Sequence, residues 1–182
     1  MTRGVSRRTV LAGGICALAG PALASGETDA APSAVSQVRP AIPRRDVSSL
    51  YLRDESGSPV RLEGFAGEIL VINLWAPWCL PCRREMPSLA RLAEALSGAP
   101  VHVLPLAFDP LGPAAVRRIY REIAITTQPV LIGDAENLKA TLGIERLPTT
   151  LVLDGTAHHI ATVAGEAMWD DPATEAWLRG LV

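Results

Sequence analysis

Residues 75–87 read WAPWCLPCRREMP and hold Cys79 and Cys82, two of the chain's three cysteines. On the amino side lies EILVINLW (68–75), a near-continuous apolar run bounded by Gly67. Such a run is the pattern of a strand buried on both faces of a parallel sheet. Beyond the cysteines, Leu89, Leu92, Ala93 and Leu96 recur at helical spacing and stop at Gly98. The C-x-x-C pair therefore sits where a buried strand hands over to a helix that begins near Cys79. Unpaired N–H groups and the positive end of the dipole stabilise a thiolate in a helix's first turn. A lowered pKa makes a cysteine reactive near neutral pH. Cys79, at the tip, is expected to be the exposed nucleophile. Cys82 is expected to face the same side of the helix and resolve a mixed disulfide, with Pro81 stiffening the turn.

The rest of the chain alternates strand and helix signals. SSLYLRDESGSPVRLEGF (48–65) alternates around Gly57 as a β-hairpin would, and VHVLPLAFD (101–109) reads as a strand weakened or bulged at Pro105. Val116, Ile119, Tyr120 and Ile123 have helical spacing, PVLIG (129–133) is a short strand, and Asp134 can cap a helix running to Leu142. TTLVLDGTAHHIATVAG (149–165) is a hairpin turning at Asp154-Gly155, and Asp171-Pro172 opens a last helix carrying Trp177, Leu178 and Leu181. This order predicts an α/β fold, one sheet with helices on both faces.

The chain opens MTRGVSRRTVLAGGICALAGPALASG, with three arginines, a short apolar run and a small-x-small site at Ala22–Ala24. That is the layout of an export signal over residues 1–24. Ser6-Arg7-Arg8-Thr9-Val10-Leu11 favours the twin-arginine route over the general secretory one. Cys16 lies in the apolar run and leaves with the signal, because Ile15 is too large for a lipoprotein box. Removal leaves 14 basic and 19 acidic residues. The expected location is periplasmic, soluble after cleavage or anchored by the uncleaved signal. Residues 25–46, rich in Ala, Ser and Pro, are expected to be a flexible linker, with the folded domain over 47–182. The overall charge of −2 and the absence of a basic stripe give no reason to expect nucleic acid as a partner.

A metal site needs two ligands beyond Cys79 and Cys82, and the nearest candidates are His158 and His159 in a hairpin. Zinc, or copper held by the two cysteines and one histidine, is therefore disfavoured. A purely structural bridge over two residues closes almost no loop entropy. Electron transfer is the better reading, without metal or cofactor.

NLWAPWCLPCRREMP together with RLPTTLVLDGTAHH resembles the TlpA/ResA-like thiol-disulfide oxidoreductases of the thioredoxin superfamily, over roughly 47–182. The resemblance implies a thioredoxin-like fold: a central mixed sheet flanked by helices, with an N-terminal β-hairpin and a central helix–strand insert. It implies that Pro148 is a cis-proline facing the dithiol, leaving the backbone at Leu147 open to pair with a bound peptide. Thioredoxins have a buried Asp where this chain has Asn73, which cannot take a proton. Glu85, one helical turn beyond Cys82, matches the glutamate regarded in TlpA/ResA-like proteins as tuning the cysteines. Trp78, beside Cys79, is a candidate docking platform for the substrate protein, whereas Trp75 reads as core.

Strong oxidants of the DsbA type carry a His inside the motif, whereas here the pair is Leu80-Pro81, and Glu85 adds negative charge nearby. Both favour a reductase of disulfide-bearing proteins. In an oxidising compartment such a protein needs a membrane thiol-reducing donor, of the CcdA/DsbD kind by resemblance. Cytochrome c or copper-site maturation are possible settings. The Gly-x-Pro-Glu stretch usual in dedicated cytochrome c maturation reductases is absent, and Glu145-Arg146-Leu147-Pro148-Thr149 stands there. A peroxiredoxin would have Thr at the position of Ala76. A copper chaperone and a disulfide-forming oxidase are the alternatives.

Overall fold

The computed structural model describes Met1 and residues 30–182, apart from residues 109 and 145, and only the backbone of residues 138 and 139. The expected export signal and the first residues of the expected linker lie outside the described residues.

Along the chain run β1 (Arg39–Asp46), β2 (Leu52–Asp54), β3 (Pro59–Val60), β4 (Ile69–Trp75), α1 (Leu80–Ala95), β5 (Val101–Ala107) and α2 (Pro113–Glu122). They are followed by β6 (Leu131–Gly133), α3 (Ala135–Leu142), β7 (Thr149–Leu153), β8 (His158–Ala164) and α4 (Pro172–Arg179). Among the described residues the strands form one mixed sheet in the order β1-β8-β7-β4-β5-β6-β2-β3. β4 is parallel to β5 and β5 to β6, whereas β7 runs antiparallel to β4 and β8 to β7. The helices lie on both faces of this sheet, the thioredoxin-like arrangement that the sequence implied.

Every residue of β4 is buried. Its side chains divide by the period-two rule. Ile69 and Val71 join Leu89, Leu92, Trp169 and Leu178 under α1 and α4. Leu70, Ile72 and Leu74 meet Leu104, Leu106, Leu151 and Leu153 on the other face. Trp75 closes the strand over α2, stacked on Tyr120 with ring centroids 5.7 Å apart. Pro105 makes no bulge: β5 pairs with β4 in unbroken register through it. β6 joins β5 only at Leu106 and Ala107, so Pro105 lies beside a stretch of β5 with no neighbour on its far side. The hairpins and helix caps follow the sequence signals. Asp134 Oδ1 accepts from Asn137 N–H, and Asp171 Oδ1 from the N–H groups of Ala173 and Thr174.

The flexible linker expected over 25–46 does not hold from residue 30 onward. Ala34 is fully buried beside Trp169 and Leu178, and Arg39–Asp46 is a strand paired with β8. The segment lacks apolar alternation because β1 is an edge strand with nearly every side chain exposed. Its prolines are tolerated because an edge strand pairs on one side only, and the register shifts between Pro40 and Arg45. The folded domain therefore begins well before Val47.

Candidate functional site

β4 ends at Trp75, and the chain turns through Ala76-Pro77-Trp78 so that Cys79 becomes the N-cap of α1. Cys79 N–H donates to Ala76 O at 2.9 Å, which closes the elbow. Cys79 and Cys82 form a disulfide with Cα atoms 5.3 Å apart. The N–H of Cys82 points at Cys79 Sγ at 3.3 Å. That bond is a first-turn helix donor aimed at sulfur, which favours a thiolate on Cys79 once the bridge is reduced.

Cys79 is less exposed than the sequence suggests. It is 6% exposed and Cys82 fully buried, whereas Trp78 and Leu80 on either side are 69% and 63% exposed. The bridge draws Cys79 against the helix while its neighbours project into solvent. Cys79 remains the more accessible residue of the two. The peptide bond Leu147–Pro148 is cis. Leu147 packs on the apolar cluster that contains both cysteines and also on the cluster under Leu151 and Leu153. Pro148 O accepts from Gly165 N–H at 2.9 Å, which ties the entry of β7 to the end of β8.

Glu85 lies one turn beyond Cys82 on α1 and is 2% exposed. It is held from three directions. Oε1 accepts from Asn73 Nδ2 of β4 at 2.7 Å, and Oε2 accepts from Ala167 N–H at 3.0 Å and from the Trp169 indole at 3.4 Å. Burial pushes its pKa up to about 7, against the lowering effect of these donors, with Glu166 adding repulsion. Desolvation outweighs the donors, and a carboxyl poised near neutrality results. Asn73 also donates to Thr150 Oγ1 at 2.9 Å, while its own Oδ1 finds no partner among the described residues. Asn73 and Glu85 were legible in the sequence. Thr150, Ala167 and Trp169 were not, since Ala167 acts through its backbone and Trp169 through a contact more than 80 residues away.

The basic residues beside the motif are paired. Arg83 donates to Glu122 Oε2 at 2.7 Å, and Arg84 holds the Glu166 carboxylate. His159 lies on β8, half-buried, with Nε2 at 2.8 Å from Thr162 Oγ1 and 3.0 Å from Ala161 O, and burial lowers its pKa. Among the described residues no three His, Cys, Asp or Glu side chains converge as a metal site would require.

A family model described as AhpC/TSA covers residues 43–161, the elbow, Glu85 and Pro148 included. The chain belongs to the AhpC/TSA family. One curated relative of this AhpC/TSA chain is "Thiol-disulfide oxidoreductase ResA" of Bacillus thuringiensis subsp. konkukian (strain 97-27). It is 26% identical over 122 residues, 67% of this chain and 69% of the relative. "Thioredoxin-like protein YneN" of Bacillus subtilis (strain 168) is 30% identical over 104 residues, 57% of this chain and 60% of its own. Among solved structures, a DsbF homologue from Corynebacterium diphtheriae superposes with a TM-score of 0.61 at 23% identity, over 77% of this chain and 91% of its own. That likeness is one of fold. The resemblance to ResA-like proteins drawn from the motifs is met again in these relatives, and thiol–disulfide oxidoreduction is the chemistry that the paired cysteines share with the curated name of ResA.

Proposed function

We propose that the protein reduces disulfides of exported proteins, with Cys79 as nucleophile, Cys82 as resolving thiol and Glu85 as the buried group that takes and returns a proton. The observation that carries this reading is the Cys79–Cys82 pair at a helix N-terminus, one turn from a fully enclosed carboxyl poised near pH 7. The Cys79 thiolate attacks one sulfur of the substrate disulfide, forming a mixed disulfide and releasing the other as a thiolate. Cys82 loses its proton towards Glu85 and attacks Cys79 Sγ. The Cys79–Cys82 bridge forms, and the substrate leaves with two electrons gained, one proton returned through Glu85 and the second taken from solvent.

The direction rests on sequence and charge. Leu80-Pro81 supplies no cation to the thiolate, and an ionised Glu85 disfavours one, so the disulfide form is the less oxidising kind. The spent bridge must be reopened by a two-electron thiol donor. In an exported protein that donor is a membrane thiol reductase of the CcdA/DsbD kind. The amino-terminal pattern of residues 1–24 supports export to the periplasm. Pro148 and Leu147 present backbone to the incoming peptide, and Trp78 offers the apolar platform beside the attacked bond.

The test is insulin-disulfide reduction by the Cys79→Ser variant, which is expected to be lost. Activity retained in that variant would overturn the mechanism. Mixed-disulfide trapping by Cys82→Ser, read by mass spectrometry, identifies the substrate.

A further inference from the structure

Both donors to Glu85 Oε2 belong to residues 165–169, a stretch outside regular structure between β8 and α4. That stretch is held in place by the far end of the chain. Ala34 N–H donates to Met168 O and Met168 N–H donates to Pro32 O, each at 2.8 Å, forming a parallel bridge between Ser33 and Met168. Gln37 Nε2 donates to Glu166 O at 3.2 Å. Ser33 Oγ donates to Asp171 Oδ2 at 2.9 Å, and Val35 N–H donates to Thr174 Oγ1 at 3.1 Å, anchoring the same segment to the start of α4. The Ala34 side chain is fully buried in the cluster that contains Ala167 and Trp169. On the inner side, Trp169 N–H donates to Ser88 Oγ, which in turn donates to Glu85 O. The loop that serves Glu85 is thus clamped between α1 and the segment that precedes β1.

We propose that residues 32–37 are a positioning strap for the redox site: pinning 166–169, they fix the Ala167 and Trp169 donors on Glu85 and keep water from its carboxyl. The proposal rests on the reading of Glu85 as the proton acceptor of the dithiol. It gives a function to a segment whose composition reads as spacer. It also links the part of the chain nearest the expected export signal to the chemistry at Cys82.

The titratable and charged groups around Glu85 are few. Cys82 and Arg84 share its helix, Glu166 faces it from the clamped loop, and Arg84 holds the Glu166 carboxylate. β4 and β7 contribute the neutral Asn73 and Thr150, and residues 32–37 contain no titratable side chain. A change in Glu85's titration on altering the strap therefore reports hydration and donor placement, not a lost charge.

The test uses two variants of the full chain in the oxidised state, with Glu85 followed by carboxyl carbon NMR across pH. Ala34→Gln places a bulky neutral amide in the buried slot and detaches the strap without adding a charge. Glu85's midpoint is expected to fall by about one unit towards the ordinary carboxylate range, because regained hydration outweighs the lost donors. The double variant S33A/Q37A removes only side-chain ties and is expected to move the midpoint the same way by about 0.3 unit. The pH profile of disulfide reduction shifts in step. A folded Ala34→Gln protein whose Glu85 titrates where the parent does overturns the proposal. If Ala34→Gln shows no cooperative melt, an unmoved titration in S33A/Q37A overturns it. The titration needs no substrate, so insulin reduction surviving in Cys79→Ser would sink the functional reading while leaving this result separately legible.

Discussion

Asn73 of β4 donates its side-chain N–H to Glu85 Oε1 of α1 at 2.7 Å, joining the strand that carries the elbow to the helix that carries the cysteines. In the proposed function the pair does what the resemblance assigns to one ionisable strand residue in thioredoxins. Under the proposed function the proton-accepting group lies on the helix, and the strand supplies a neutral donor that holds it. When Glu85 is protonated its O–H can donate to Asn73 Oδ1, which has no other partner among the described residues, once the amide turns over. Both protonation states can thus be accommodated, as expected of a group that passes a proton back and forth.

The raised pKa has a consequence for stability. Glu85 titrates near 7 when folded and near 4.5 when unfolded, so between these values the native state holds a proton that the unfolded chain has released. Stability contributed this way is present below pH 4.5 and is lost as pH rises towards 7 and beyond, by up to about 3 kcal/mol. Urea denaturation of the oxidised protein at pH 5 and pH 8 is expected to show this fall, and Glu85→Gln to abolish it. A Gln side chain can accept from Ala167 while donating to a turned Asn73 amide, so the variant is expected to fold. An equal fall in both proteins would assign the pH dependence to other groups.

Asn73→Asp tests the same relationship with the opposite sign. It sets a second carboxyl within hydrogen-bond distance of Glu85 in a site without water access. At pH 5 the two groups share a proton and the variant is expected to be near parental stability. At pH 8 the buried pair must still hold a proton that the unfolded chain has released, and roughly 3 kcal/mol is expected to be lost. A loss equal at both pH values would point to packing rather than charge.

Much of this arrangement was legible in the sequence, and the remainder was hidden for identifiable reasons. The unbroken apolar run of β4 and the 3.6-residue spacing after Cys82 fixed the strand–helix elbow, and Asp154-Gly155 and Asp171-Pro172 marked a turn and a cap. β1 escaped notice because an exposed edge strand with two prolines has no apolar alternation to read. Glu85's importance could be suspected from its place one turn after Cys82. Its enclosure could not, since it depends on a backbone N–H at Ala167 and on tertiary contacts with Trp169. No local pattern encodes either.

Trp78 offers a prediction about recognition. It is 69% exposed beside Cys79, and Leu80 is 63% exposed on the other side. An exposed side chain contributes little to the fold, so Trp78→Ala is expected to change stability by less than about 0.5 kcal/mol. As an apolar docking surface it is expected to matter for protein substrates, with kcat/KM for insulin disulfides falling about tenfold. Reduction of a small aromatic disulfide, which needs no platform, is expected to fall less than about twofold. Equal losses on both substrates would place Trp78 in the chemistry instead.

The turn between β7 and β8 shows how a glycine can be required for space rather than for backbone conformation. Asp154 Oδ1 accepts from Thr156 N–H at 3.0 Å and from His158 N–H at 3.1 Å, and Ala157 N–H donates to Asp154 O at 2.9 Å, so the turn is held without any bond from Gly155 within it. Gly155 does not have a positive φ. A Cβ there would nevertheless lie 2.7 Å from Gly67 Cα, where Gly67 N–H donates to Gly155 O at 2.8 Å just before β4 begins. The obstacle is backbone, which cannot swing aside as a flexible side chain would. Gly155→Ala is therefore expected to push the hairpin off the start of β4 and to cost about 1–3 kcal/mol in urea denaturation. Gly57→Ala, at a position with open space around it but φ of +86°, is expected to cost about 1 kcal/mol through backbone strain alone. If Gly155→Ala proves neutral, the close approach of the two glycines is absent in solution.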